Sequence, residues 1–324
     1  MIPTLGRRAS LLRVLACLDE QRSPSSFEVV VVEDAAEAED SSPPAEGRGY
    51  DLRVLRASRP GASAARNAGV AAARSALILF LDDDVLPSPE LVREHIAWHG
   101  DRPEPEIGVL GHVTWAAELK VTTFMHWLDH GIQFDYRSIA GGEAGWGRFY
   151  TANVSVKRSM IEAVGGFDEV RLPFGYEDLD LAYRMANRGF RLLYNPAAAA
   201  EHLHEMDLDF WKRRVRRIAR AEHRFCRLHP EIPPHFEPMF RGAAGSPRAS
   251  GRGAALIRIL PRSFPVAGER AWRSADTAFK QALAPDFLDA WDEAEREPEA
   301  AGAQPDLSER VPASSGGSSP SGPK

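Results

Sequence analysis

The chain has 324 residues, 44% of them hydrophobic, which is enough to bury a sizeable core. Its formal net charge of -6 at pH 7 argues against general nucleic-acid binding. The two cysteines, Cys17 and Cys226, lie far apart, which excludes a disulfide scaffold and a cysteine-ligated zinc site. No apolar run approaches membrane-spanning length and the N-terminus has no signal-peptide layout, so we expect a cytoplasmic location.

The first third of the chain predicts an α/β arrangement. A helix is expected over residues 8–21, and two apolar runs, residues 27–32 and 77–81, have the length of buried strands. An alanine-rich helix over residues 62–75 lies between the two runs, which makes a strand–helix–strand unit with parallel strands. Parallel strands end at the same edge of a sheet, and ligands of open α/β sheets bind outside that edge.

Both predicted strands end in acidic residues. Asp34 follows the first, and Asp82, Asp83 and Asp84 follow the second. Three adjacent carboxylates repel one another unless a cation neutralises them, and Mg²⁺ and Mn²⁺ are the divalent ions that prefer oxygen ligands. A solvated acidic turn is the alternative for this triplet. The chain has no glycine-rich dinucleotide or P-loop pattern, which argues against those two kinds of site.

A second acidic element opens a helix that is predicted to start near residue 175. Glu177 and Asp178 lie in its first turn, where they either favour the helix dipole or supply a general base that reaches into the crevice. Asp180 and Arg184 are four residues apart, and we expect them to pair on the outer face of this helix.

Histidines and a basic segment follow. A short strand is predicted over residues 190–194, and His202 and His204 come after the next alanine run; on an extended segment they point the same way, as in a metal or phosphate site, with a structural role as the alternative. Residues 211–229 are strongly basic and amphipathic. They form either a solvated helix face or a surface for a diphosphate-bearing acceptor or for anionic lipid at the inner face of the membrane.

Seven short motifs carry a family resemblance. In chain order they are Ile2-Pro3-Thr4, Glu33-Asp34, Gly61-Ala62-Ser63-Ala64-Ala65-Arg66-Asn67-Ala68-Gly69, Phe80-Leu81-Asp82-Asp83-Asp84, Asn153-Val154-Ser155-Val156-Lys157-Arg158, Gly165-Gly166-Phe167-Asp168-Glu169, and Glu177-Asp178 followed by Arg184. Their order and spacing, over about residues 1–205, resemble glycosyltransferase family 2, of the GT-A fold.

The resemblance implies a nucleotide-diphospho-sugar donor, a Mn²⁺ or Mg²⁺ ion and inversion at the anomeric carbon. The Asp-x-Asp motif of the family falls on Asp82, Asp83 and Asp84. Asp82 would face the donor and the metal, Asp83 would belong to the donor site, and Asp84 would bind the metal. His202 lies where many relatives place a histidine that contacts the metal or the diphosphate.

The remaining site residues follow from the same resemblance. Asp178 matches the catalytic base, with Glu177 beside it. Asp34 matches the acid that binds the nucleobase, and Arg66 and Asn67 lie where the family contacts the donor or supports its loop. The donor-binding residues as a set are Pro3, Thr4, Leu5, Asp34, Arg66, Asn67, Asp82 and Asp83.

Three positions depart from the family pattern. Only Met1 and Ile2 precede the Pro-Thr pair, so either the first strand is short or the true start lies upstream. The pair Ala35-Ala36 replaces the usual Gly-Ser after the nucleobase acid. Leu5-Gly6 stands where Tyr-Asn is common, which removes a ring near the base.

The prediction is a metal-dependent, inverting glycosyltransferase that acts on an acceptor hydroxyl, for example in cell-surface polysaccharide or glycoconjugate synthesis. Its α/β GT-A domain, with a mostly parallel sheet, spans residues 1–205, with nucleotide-sugar binding in about 1–120 and the acceptor side and base in 121–205. Residues 206–292 are expected to form a helical extension, and residues 293–324 a disordered tail.

Two rivals stay open. A sugar-phosphate nucleotidylyltransferase shares the α/β sheet and the metal, but it usually opens with a glycine-rich basic loop that Thr4-Leu5-Gly6-Arg7-Arg8 matches poorly. A non-catalytic sugar-binding or scaffold member of the same fold is the other rival, and the presence of every expected catalytic acid disfavours it.

Overall fold

The N-terminal strands form a parallel sheet. The computed structural model of the protein describes residues 1–23, 25–36, 47–249, 255–257, 259–260 and 266–297. The first sheet has the spatial order β1–β2–β3, and its strands are β1 (Ile2–Thr4), β2 (Glu28–Glu33) and β3 (Asp51–Arg56). The helix α1 (Arg8–Asp19) connects β1 to β2, and α2 (Ala62–Ala72) connects β3 to β4 (Leu77–Leu81).

The two strands that end in acids, β2 and β4, are not direct neighbours, because β1 lies between them. The amino group of Met1 donates to the Leu79 carbonyl (2.9 Å), and the Leu81 N–H donates to the Met1 carbonyl (3.1 Å). In a parallel pair of strands, one residue bonds two residues of the neighbouring strand that lie two positions apart in the chain. The strands β2, β1 and β4 are therefore parallel. Their carboxyl ends lie at the same edge, as predicted. The strand β3 has no counterpart among the predicted strands.

The second sheet is mixed and has the order β4–β7–β6–β8–β5. The new strands are β5 (Val85–Pro87), β6 (Ile107–Trp115), β7 (Asn153–Lys157) and β8 (Arg191–His202). Only β6 and β8 pair in parallel. The strand β8 runs past the predicted residues 190–194 to His202, with a register shift at Gly111. A Cβ at Gly111 would lie 2.2 Å from the Asn153 side chain, so only glycine fits there.

The α-helices between β5 and β8 include the one that carries the second acidic element. They are α3 (Leu91–Asp101), α4 (Thr123–Leu128), α5 (Arg158–Ala163) and α6 (Glu177–Ala186). The predicted pair of Asp180 and Arg184 forms at 2.6 Å. Its predicted place on the outer face is wrong, because Asp180 is 3% exposed and also contacts His229 at 2.8 Å. The sequence did not predict that the segment around His229, which follows α6 in the chain, covers this face.

The C-terminal part is a group of helices with its own core. Its members are α7 (Leu208–Leu228), α8 (Phe236–Ala244) and α9 (Ala267–Arg296). Trp211 of α7 and Phe287 of α9 pack in one cluster with Phe124, Met125 and Trp127 of α4. The second core therefore includes a helix from the segment that precedes β7 in the chain.

The predicted tail begins inside a helix. The helix α9 ends at Arg296, so the first residues of the segment 293–324 are helical. Residues 298–324 lie outside the described residues, so the predicted disorder of this segment stays a prediction. Among the described helices, none is both long enough and apolar enough to cross a membrane.

Candidate active site

Acidic side chains lie at the carboxyl ends of β2 and β4. Asp34 follows β2, and the acid cluster (Asp82, Asp83 and Asp84) follows β4. Asp83 and Asp84 are buried, at 4% and 5% exposed, whereas 32% of the Asp82 side chain is exposed. Asp82 is therefore the member of the acid cluster that a ligand reaches most easily.

Arg7 neutralises the two buried carboxylates. Its Nη1 lies 2.6 Å from Asp84 Oδ2 and 3.1 Å from Asp83 Oδ1, and the Thr4 hydroxyl donates to Asp83 at 2.7 Å. Burial still raises the pKa of Asp83 to about 7, although Arg7 opposes it. Burial acts on Asp84 too, but His202 and Arg7 outweigh it and hold the pKa of Asp84 below its usual value.

The predicted metal ligands are carboxylate oxygens with a histidine nearby. His202 Nε2 lies 3.8 Å from Asp84 Oδ1. The His204 backbone N–H donates to His202 Nδ1 at 3.1 Å, which places the proton of the neutral ring on Nε2. His202 would have to lose that proton to bind an ion. The oxygens of Asp82 and Asp84 suit Mg²⁺ or Mn²⁺ without such a change.

The protein ligands do not form a closed metal cage. Among the described residues, no group of three or more His, Cys, Asp or Glu side chains could hold an ion. A hard divalent ion at one or two carboxylates commonly takes its remaining ligands from substrate phosphates and water. The acid cluster therefore fits an ion that binds together with a phosphate-bearing ligand.

Arg66 joins the acid cluster to the second acidic element. This arginine of α2 is buried at 5% exposed, and it donates to Glu177 at 2.6 Å and to Asp82 at 3.4 Å. Arg66 Nε and Glu177 Oε2 are buried with no hydrogen-bond partner among the described residues. Asp82, Arg66 and Glu177, from three different parts of the chain, thus form one connected group.

Asp178 is a carboxyl group with a pKa near neutrality. Its enclosed position and the neighbouring Glu177 together raise its pKa to about 7, while Arg66 opposes both. Its Oδ1 accepts the Leu179 backbone N–H at 2.9 Å. A carboxyl group poised near pH 7 on the first turn of a fixed helix can exchange a proton with a bound hydroxyl.

Other predicted donor-binding residues hold the backbone in place. Asp34 accepts the N–H of Ala36 (2.8 Å) and of Gly61 (2.7 Å), so it fixes the loop after β2 to the start of α2. Asn67 bonds both the N–H and the carbonyl of Phe167 at 2.9 Å. These contacts fix Asn67 to the loop at Phe167, and its place in the donor site stays a prediction.

The N-terminal residues of the predicted donor site have different environments. Thr4 is buried and its hydroxyl is used by Asp83, whereas Pro3 is half-buried and Leu5 is 41% exposed. Pro3 and Leu5 therefore remain accessible at the end of β1.

Two arginines of the site were missed by the sequence analysis. Arg7 stands out in the sequence only as part of a basic turn after β1. Arg214 is one of eight basic residues between Trp211 and His229, and only the fold shows that it turns towards the acid cluster. Burial lowers the pKa of Arg214 to about 10, with Arg217 and Arg7 adding to the effect and Asp84 opposing it. Arg214 Nε is buried and has no hydrogen-bond partner among the described residues.

The N-terminal part matches a known family. A family model described as "Glycosyl transferase family 2" matches residues 1–136, which include β1, β2, β4 and the acid cluster. The match covers less than half of the chain and shows that residues 1–136 resemble this family. It supports the predicted family, and the predicted α/β GT-A fold with a helical C-terminal part is confirmed.

Proteins similar to this chain include named transferases. The validoxylamine A glucosyltransferase of Streptomyces hygroscopicus subsp. limoneus is 28% identical over 278 residues, covering 73% of this chain and 57% of that relative. The pre-mycofactocin glycosyltransferase of Mycobacterium tuberculosis is 28% identical over 213 residues, covering 65% of this chain and 43% of that relative. This chain spans less than two thirds of the length of either relative.

A solved structure also aligns with this chain along most of its length. The crystal structure of S. aureus TarS 1-349 in complex with UDP covers 91% of this chain and 90% of its own, at 13% identity and a TM-score of 0.47.

The family match covers the predicted site unevenly. It includes the acid cluster, Arg66 and Asn67, but it ends before Glu177, Asp178 and His202. The roles of these last three residues therefore depend on the geometry of this chain.

Proposed function

We propose that this chain transfers a sugar from a nucleotide-diphospho-sugar to an acceptor hydroxyl, with inversion at the anomeric carbon. The observation that carries the proposal is the connection of the acid cluster to Asp178 through Arg66 and Glu177. A group-transfer site needs a cation-binding side for the leaving group and a base for the attacking group, on separate elements. The acid cluster on β4 and Asp178 on α6 meet that need.

The base side of the reaction is assigned to Asp178. In its ionised form it accepts the proton of the acceptor hydroxyl while that oxygen forms a bond to the anomeric carbon. The bond from that carbon to the diphosphate breaks, and its electron pair leaves with the diphosphate. Glu177, bound to Arg66, keeps a second negative charge beside Asp178, which raises the basicity of Asp178 at neutral pH.

The donor side is assigned to Asp82 and Asp84. A Mg²⁺ or Mn²⁺ ion bound there would neutralise the charge of the departing diphosphate, so that the leaving group needs no proton. Arg7 and Arg214 add two fixed positive charges near the acid cluster. Asp82, the exposed member, faces the donor, with Pro3 and Leu5 at the adjacent strand end.

A thermal-shift panel tests the donor assignment. UDP-, GDP-, CMP- and dTDP-sugars are each added with and without Mn²⁺, to the wild type and to Asp84→Ala. We expect one nucleotide class to raise the melting temperature only with metal, and Asp84→Ala to lose that rise. Asp180→Asn, which removes a buried acid outside the acid cluster, is the control that should keep the response.

Turnover separates the proposal from its rivals. Release of pyrophosphate from a nucleoside triphosphate and a sugar phosphate would indicate a nucleotidylyltransferase instead. Binding of donor without transfer or donor hydrolysis, across a panel of hydroxyl acceptors, would indicate a sugar-binding member. The similarity to a validoxylamine A glucosyltransferase makes a glucosyl donor with validoxylamine A as acceptor the first combination to try, and lipid-linked acceptors the next.

We propose that residues 211–229 contact an anionic membrane through electrostatic attraction alone. Trp211, Val215 and Phe225 on the apolar face of α7 are buried within the protein, so this face does not insert into lipid. Arg213 and Arg224 are exposed and face solvent. We expect weak binding to anionic vesicles that is lost at high salt and leaves tryptophan fluorescence unchanged.

A further inference from the structure

The residue before the second acidic element has an unusual backbone. Tyr176 has a φ of 61°, in the left-handed region, and only one other non-glycine residue described, Val266, shares this feature. Tyr176 is the N-cap of α6, and Glu177 and Asp178 come directly after it. A left-handed conformation at a bulky residue persists only where the surroundings hold it, and such residues gather at functional sites.

A buried glutamate of α7 holds Tyr176. The Tyr176 hydroxyl donates to Glu222 Oε1 at 2.7 Å, and its ring packs on Phe225 with centroids 5.3 Å apart. Glu222 is 1% exposed and is the only acid in the basic segment 211–229. Nothing in the sequence analysis gave this acid a role.

Glu222 is itself fixed from the other side. Its Oε1 accepts the backbone N–H groups of His235 and Phe236 at 2.8 Å, and its Oε2 accepts that of Glu237 at 3.1 Å. These are the first N–H groups of α8, which have no partner inside the helix. Glu222 therefore stays anchored at the start of α8 whether or not Tyr176 is bound.

The loop before α6 is held between α2 and α7. On the α2 side, the Ser63 N–H donates to the Pro173 carbonyl at 3.2 Å, and the Ser63 hydroxyl donates to the Leu172 carbonyl. On the α7 side, a Cβ added to Gly175 would lie 3.0 Å from the Cβ of Ala221. The loop is therefore closely packed on both sides, and the Tyr176–Glu222 hydrogen bond adds a directional contact to α7 at the start of α6.

We propose that Glu222, acting through Tyr176, is a positioning residue that sets where the Asp178 carboxyl group lies relative to the acid cluster. The C-terminal helices would then contribute to the site, because Glu222 of α7, bound to the start of α8, holds the residue that precedes the base. The inference depends on the proposed function only for its effect on turnover. The effect on the backbone of α6 is independent of the reaction.

Tyr176→Phe tests the inference with a single atom. It removes the hydroxyl and leaves the ring, its contact with Phe225 and the anchoring of Glu222 to α8 in place. Tyr183→Phe is a matched control, because Tyr183 lies on the same helix and its hydroxyl donates to Glu231 at 2.6 Å on the same side of the molecule. Both variants lose one Tyr–Glu hydrogen bond.

Three readouts are compared with the wild type: hydrogen–deuterium exchange, donor-induced thermal shift and kcat. In Tyr176→Phe we expect faster amide exchange over residues 176–181 and an unchanged donor-induced shift. We expect kcat to fall roughly tenfold to a hundredfold, since a base displaced by about 1 Å loses its alignment. Tyr183→Phe should match the wild type in all three.

The outcomes separate the two proposals. Wild-type exchange over residues 176–181 in Tyr176→Phe, or an equal change in Tyr183→Phe, overturns the positioning role of Glu222. An unchanged kcat in Tyr176→Phe overturns it as well. Absence of transfer in the wild type counts against the proposed function alone, and the exchange comparison still decides whether Glu222 and Tyr176 fix the start of α6.

Discussion

Asp83 and Asp178 each have a pKa that burial raises to about 7, but their environments fit different tasks. Asp83 is buried, and its two oxygens are bonded by Thr4 and Arg7, so it has no room for a substrate. Asp178 is half-buried, and its bonded oxygen is held only by the Leu179 N–H. Of the two, Asp178 is the carboxyl group that an acceptor hydroxyl can reach.

Asp178→Asn is expected to remove transfer and leave the donor site intact. An asparagine keeps the shape and the bond to the Leu179 N–H, but it cannot take up a proton, so kcat should fall by at least roughly a hundredfold. The donor-induced thermal shift should equal that of the wild type. Transfer at the wild-type rate would move the base to Glu177, whose buried Oε2 is unpartnered among the described residues.

The rate of transfer should rise with pH through about 7. Only the ionised form of Asp178 accepts a proton, and its enclosed position raises its pKa to about 7, with Glu177 as the next cause. Glu177→Gln removes that neighbouring charge, so the rising limb should move to lower pH. The measurement is kcat/KM from pH 5 to 9 in both proteins.

The control for this shift is Glu162→Gln, an exposed acid on α5. It should reproduce the wild-type profile, because Glu162 is not among the groups that act on Asp178. A rising limb that stays at the same pH in Glu177→Gln would show that Glu177 does not set the basicity of Asp178.

At the scale of elements, the local sequence pattern predicts which strands and helices carry the site residues. It does not predict which other elements pack over those strands and helices. The end of β4 in three acids and the acidic first turn of α6 are readable from apolar runs and helix periodicity. The burial of Asp180 depends on His229, which lies 49 residues away in the chain. The roles of Glu222 and Arg214 likewise come from contacts of α7 that no local spacing encodes.

The packing of α3 on β7 is a further feature that spacing alone does not reveal. His95 and His99 are four apart on α3, and they meet alternate residues of β7. Lys157 faces His99 Nδ1 (3.3 Å), and His99 Nε2 faces the Ser155 hydroxyl (2.9 Å). The same hydroxyl faces His95 Nδ1 (2.8 Å), and His95 Nε2 faces the Asn153 side chain (2.9 Å). If each group donates to the next in the order Lys157, His99, Ser155, His95 and Asn153, every one of these hydrogen bonds is satisfied and both imidazole rings are neutral.

This histidine pair should make the protein less stable in mild acid. Burial lowers the pKa of His95 to about 4 and that of His99 to about 3. Both values lie below about 6.5, the unfolded value, so the unfolded chain binds more protons as the pH falls below 6.5. Each ring should cost about 2 kcal/mol of unfolding free energy at pH 5 relative to neutral pH.

Urea unfolding at pH 7 and pH 5 measures this cost. His95→Gln keeps a donor and an acceptor but does not titrate, so its stability should fall by about 2 kcal/mol less than that of the wild type between the two pH values. His235→Gln, at an exposed histidine, should behave like the wild type. Equal losses in His95→Gln and the wild type would contradict the assignment.

At the scale of the whole molecule, two hydrophobic cores are joined around the site. The first core packs α1, α2, α3, α5 and α6 on the strands, and the second packs α4 with α7, α8 and α9. The bonds Tyr176–Glu222 and Asp180–His229 tie α6, on the first core, to α7, on the second. Separating the cores would break both hydrogen bonds, and a hydrogen bond to a charged group contributes about 1.5–3 kcal/mol to stability.

The two cores should therefore unfold together. Phe287 of α9 and Leu15 of α1 are both 0% exposed, one in each core. Phe287→Ala should lower the unfolding free energy by about 3–5 kcal/mol and Leu15→Ala by about 2–5 kcal/mol. In calorimetry each variant should show one transition, moved to lower temperature. If Phe287→Ala instead split the profile into two transitions and moved only one of them, the C-terminal helices would be an independent unit, and their hold on the start of α6 would be too weak to position a base.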